Sequence, residues 1–123
     1  LIQTILMNDS VSLKGACAIH LTATSVVVSS KIYTKYFEDT KGRADIDFDF
    51  ANSFLYLKPA VAGTCMFSKY PSGHGYYRYP NRIAGYMDSR RLPMAVINPK
   101  RTSSGVFIMP LNSKLLLQPF VYL

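Results

Sequence analysis

Acidic residues are scarce: seven Asp and Glu stand against fourteen Lys and Arg, a formal charge of +7 at neutral pH. Charged residues of both signs make up only 17% of the 123-residue chain, and 49% is hydrophobic. That balance excludes a disordered tail. Cysteine is sparse as well. Cys17 and Cys65 form no CxxC pair, and His20 and His74 lie far apart in sequence, so no metal site is expected. The two thiols either make one bridge or stay free in buried positions. Long apolar runs are missing: the longest, Leu115 to Leu123, is broken by Gln118 and Pro119. It falls short of the roughly 20 residues that a spanning helix needs, so no membrane partner is expected. Residues 1–6 lack the basic start and cleavage site of a signal peptide. The chain also starts at Leu rather than Met, so a preceding segment is expected to have been removed or left out. No internal repeat, linker, phosphate-cradling glycine loop, Ser-His-Asp order or Cys-His motif is visible. On that basis neither catalysis nor a cofactor is expected.

What is present points to one all-β domain covering residues 1–123, a small barrel or sandwich of antiparallel strands. β-Branched and aromatic residues are dense, and turn formers recur at roughly 8–12-residue spacing. Ala44-Asp45-Ile46-Asp47-Phe48-Asp49-Phe50 alternates strictly, and Thr24 to Phe37 can be read with the same period. Joined through Glu38 to Gly42, the two stretches predict a hairpin pairing 30–37 with 43–50. In that register Lys35 faces Asp45, Tyr33 faces Asp47 and Lys31 faces Asp49, with Ile32, Phe48 and Phe50 buried. Further strands are expected at 11–21, 54–57, 61–67, 94–97, 105–109 and 115–123, and Leu1 to Leu6 also reads as a strand. At most one short helix is predicted, over about 80–91, with Pro80 in its first turn and Pro93 past its end.

Charge is distributed unevenly. Residues 1–49 carry five basic and six acidic side chains, whereas residues 50–123 carry nine basic ones and only Asp88. An excess on one side costs self-repulsion and suggests an anionic partner. Within that part, Tyr70 to Arg91 interleaves aromatics and cations. Tyrosine faces stack on bases while arginines neutralise phosphates, which is what single-stranded nucleic acid requires. The expected binding residues are Tyr76, Tyr77, Arg78, Tyr79, Arg82, Tyr86, Arg90 and Arg91, extended by Lys100 and Arg101 in a turn-rich loop. The competing reading is a Tyr-rich loop packed on the sheet with solvated arginines.

Three functions follow in order. The first is a non-catalytic, sequence-tolerant nucleic-acid-binding protein. The second is a subunit of a symmetric assembly, such as a viral coat or tail component. A mean hydropathy of +0.10 fits that reading through an apolar face covered by a partner, and fits equally a low-charge monomer rich in Ser, Thr and Tyr. The third is a small ribonuclease using His20 and His74 as acid and base.

Overall fold

Hydrophobic alternation writes the strands, and the computed structural model arranges them in two antiparallel sheets. It describes residues 2–7, 17–84, 94–111 and 120–121. In chain order the strands are β1 (Ile2–Met7), β2 (Ala18–Leu21), β3 (Ser25–Val28), β4 (Arg43–Asp49), β5 (Phe54–Pro59), β6 (Cys65–Met66), β7 (Ser68–Lys69), β8 (Gly75–Arg78), β9 (Met94–Ile97), β10 (Phe107–Pro110) and β11 (Phe120–Val121). The larger sheet has the order β11-β1-β9-β2-β3-β8-β7, and the smaller one β10-β5-β4-β6. The all-β expectation holds, in its sandwich form; neither sheet closes into a barrel.

Each sheet turns one face inward. Ile19, Leu21, Val26, Val28 and Val96 from the larger sheet meet Ala44, Leu55, Leu57, Phe107 and Met109 from the smaller, all fully buried in one cluster. Burying each of the larger side chains is worth roughly 1.5–3 kcal/mol. Pro59 is accommodated opposite Ala44. Ala60 N–H donates to Arg43 C=O and Phe67 N–H to Gly42 C=O, so the β4 ladder bonds to β5 run through odd-numbered residues. Ala44 is therefore a position that asks no N–H of its neighbour.

The expected hairpin is corrected. β4 pairs with β5, not with residues 30–37, so Asp45 faces Lys58, Asp47 faces Tyr56 and Asp49 faces Phe54. Residues 30–37 are helical: α1 (Ser30–Ile32) runs directly into a π-helical turn, Tyr33–Phe37. The reason lies in a second period hidden in the same residues. Ser29, Ile32, Tyr33, Tyr36 and Phe37 recur at helical spacing and face the core, while Lys31, Thr34, Lys35 and Glu38 stay exposed. Ser29 is fully buried and anchors the segment twice. Its N–H donates to Ala18 C=O at 2.9 Å, and its hydroxyl accepts from Ala18 N–H at 3.0 Å. A carbonyl and an amide of β2 thus hold the start of the helix.

Other expectations fare unevenly. Asp45 and Asp47 are exposed and Ile32 is buried, as expected, but Phe48 is half-buried and Phe50 is 37% exposed. Val61 lies in a turn rather than a strand and is 74% exposed. A second helix, α2 (Asn81–Ala84), starts where Pro80 predicted it, and its expected continuation lies outside the described residues. Among the described residues, no helix is long and apolar enough to cross a membrane, and no group of His, Cys, Asp and Glu could hold a metal ion.

Candidate nucleic-acid interface

Strand parity divides the tyrosine-rich segment. Along β8, Gly75 and Tyr77 fall on the core side and Tyr76 and Arg78 on the outer side, because side chains alternate. Gly75 is required there: a Cβ would lie 2.5 Å from the Tyr33 ring. Cross-strand pairing carries the outer face on to β3 and β2. Tyr76 faces Val27 and Arg78 faces Ser25, and Val27 in turn faces His20. The loop before β8 folds back so that Tyr70 stacks on Tyr76, with centroids 4.4 Å apart and planes 22° apart. Tyr70 remains 46% exposed. Together with Thr24, Ser25 and Arg78, the two rings line an open hollow of about 380 Å³. An aromatic face, a guanidinium and two hydroxyls thus share one surface.

The remaining expected residues go elsewhere. Tyr79 is 3% exposed and edge-packed on Phe48 at 5.4 Å, so it offers no ring face to a base. Its buried hydroxyl has no hydrogen-bond partner among the described residues, and burial pushes its pKa up. Tyr77 packs against Phe67 on the core side. Burial, then the neighbouring Cys65 side chain, raises its pKa, while Arg82 pulls the other way. Arg82 is exposed on α2 and lines a second hollow. Arg101 sits on the connection between β9 and β10, which crosses from the larger sheet to the smaller. Its guanidinium lies 4.4 Å from the centroid of Tyr36, and Lys35 Nζ lies 5.3 Å from the same ring. Lys100 is half-buried in that connection. Tyr86, Arg90 and Arg91 lie outside the described residues. The expected cluster therefore splits into an outer pair, Tyr76 and Arg78; a rim pair, Tyr77 and Arg82; and the Arg101 loop.

Tyr70, which opens the expected stretch, and Thr24 and Ser25, which lie outside it, complete the outer hollow. Thr24 and Ser25 carry no local signal, because only sheet pairing brings them to Arg78. The histidines do not form a pair. His74 Nδ1 is 2.9 Å from Ser72 Oγ in the turn before β8, whereas His20 sits on β2 with Nε2 buried and without a partner among the described residues, and its pKa is lowered by burial. Both cysteines are free, half-buried thiols. Lys69 is engaged by Glu38 at 3.2 Å and lies over the Tyr33 ring. Comparison of the chain with family models, curated proteins and solved structures finds no match.

Proposed function

We propose that the protein binds single-stranded nucleic acid, with little sequence preference, on the outer face of the larger sheet around Tyr70, Tyr76 and Arg78. The stacked and half-exposed Tyr70–Tyr76 pair beside Arg78 is the observation that carries this reading. A prestacked pair loses little rotamer freedom when a base lands on it, and each stacked base contributes roughly 1–3 kcal/mol. Arg78 supplies charge for the adjoining phosphate and releases counterions. Backbone and π-face contacts carry no base identity, so tolerance of sequence follows. The test is fluorescence anisotropy with labelled oligothymidylate and oligouridylate across a salt series. Binding at micromolar protein that weakens with salt supports the proposal; salt-independent or absent binding overturns it.

A second reading, as a subunit of a symmetric assembly such as a viral coat, draws on a different place. Val61 is 74% and Met66 47% exposed, both at the β6 margin of the smaller sheet. Apolar side chains left open beside a two-residue edge strand suit a neighbouring copy. Light scattering coupled to size exclusion separates the readings: a closed oligomer that binds no oligonucleotide favours the second.

A further inference from the structure

We infer that the open side of the sandwich between β4 and β8 docks an extended strand of another protein. That strand adds to the edge of β4, with apolar side chains pointing into the hollow and a lysine or arginine over Asp47. The stretch from Cys65 to Lys69 closes this side of the sandwich only in part. β6 lies against Arg43 and Ala44 of β4; after Phe67, β7 lies against Gly75 and Tyr76 of β8. Past those pairs, β4 from Asp45 and β8 from Tyr77 have no strand on this side among the described residues. A hollow of about 310 Å³ lies there, bordered by Ile46, Phe48, Cys65, Tyr77 and Arg82. Ile46, Phe48 and Tyr77 are only half-buried. Inward-facing side chains of both sheets are thus reachable where one more strand would cover them.

Backbone parity fixes how such a strand would lie. Ala60 N–H donates to Arg43 C=O on the β5 side and Phe67 N–H to Gly42 C=O on the β6 side, so even-numbered β4 residues direct N–H and C=O away from β5. Ile46 and Phe48 each offer a donor and an acceptor to an added strand, the main-chain half of strand addition. Residues opposite Ile46 and Phe48 share their inward face, and the residue between them shares the outward face of Asp47. Charge then selects the partner. Asp45 accepts from Thr64 N–H at 3.2 Å, and Asp49 accepts from Asn52 N–H at 3.1 Å and from its Nδ2 at 2.9 Å. Asp47 is exposed and makes no hydrogen bond or ion pair among the described residues. Uncharged Tyr56 stands opposite it on β5, with Lys58 one pair along. Three carboxylates on alternate residues therefore leave the middle one uncompensated, where an incoming cation fits. Arg82, at the wall of the hollow, repels a cation from the inward positions and leaves them to apolar side chains. A second copy adding by its own β4 would set aspartates beside aspartates, so the partner carries a different strand.

The test titrates blocked pentapeptides into the full chain and follows amide NMR and calorimetry. The reference, acetyl-Ser-Val-Lys-Val-Ser-amide, is expected to shift the Ile46 and Phe48 amides at millimolar concentration. Replacing its Lys with Glu should weaken binding about two- to tenfold, the worth of a cross-strand charge pair turned into a repulsion. N-Methylation of both Val residues, whose N–H groups face β4, should weaken it about tenfold or more. N-Methylation of the Lys, whose N–H points away from β4, should change it by less than about twofold. Asp47→Lys, at an exposed position, should reverse the preference between the Lys and Glu peptides. Unmoved Ile46 and Phe48 amides, equal binding of the Lys and Glu peptides, or equal loss on methylating Val and Lys overturns the inference.

Discussion

Tyr76 and Tyr79 stand three residues apart and meet opposite fates. Tyr76 lies on the outer face of β8, half-buried and stacked under an exposed Tyr70. Tyr79 follows the same strand and disappears into the core, 3% exposed. The two residues share chemistry and neighbourhood in sequence; the direction each side chain takes is what separates a binding surface from a packing element. Composition singles out the segment proposed to bind nucleic acid, and parity then decides which half of it faces outward.

Several substitutions would break or sharpen that contrast, beginning with the largest effect. Replacing Tyr70 and Arg78 together with Ala should cost the oligonucleotide complex roughly 1–3 kcal/mol for the lost stack and more for the lost phosphate contact. Anisotropy titration reads both, and the salt slope should fall by about 1. On the inner side, Ser29→Ala should lower folding stability by about 1–2 kcal/mol in denaturant titration, because the buried Ala18 N–H loses its acceptor. Oligonucleotide affinity should not move. Tyr79→Phe is expected to be neutral or to stabilise by up to about 1 kcal/mol, since its hydroxyl is buried without a partner among the described residues. A loss of binding in that variant would place Tyr79 on the wrong side of the comparison.

The smallest effect concerns pH. Burial lowers the pKa of His20 from its ordinary 6.5, so the unfolded chain takes up protons that the folded one resists. Stability should therefore be level above about pH 6.5 and decline as pH falls toward the lowered native value. His20→Gln should flatten that decline in thermal melts recorded between roughly pH 7.5 and 5.5, about one unit on either side of the ordinary imidazole pKa.

Much of the fold is legible in the sequence, for a physical reason. Residues 44–49 alternate so strictly that only a strand satisfies them, and Phe54 to Leu57 reads equally well. Ser29 to Phe37 satisfies two periods at once. β-Branched and aromatic residues favour the strand reading, but the helical one buries Ile32, Tyr33 and Phe37 together, and burial outweighs propensity. Once that segment is helical, β4 has to find another partner, and the charge ladder between Lys35 and Asp45 goes with the lost hairpin. The site was half legible. Tyr76 and Arg78 are neighbours of one parity, but Thr24 and Ser25 come from pairings that no local pattern encodes.

The central claim is that binding belongs to the outer face of β8 and not to its inner face. Its most direct test is the salt dependence of oligothymidylate affinity for three proteins side by side: the natural chain, Tyr70→Ala with Arg78→Ala, and Tyr79→Phe. The account predicts that the first and third give the same affinity and the same slope, while the second binds more weakly and with a slope lower by about 1. Equal binding by all three, or a loss confined to Tyr79→Phe, would contradict it.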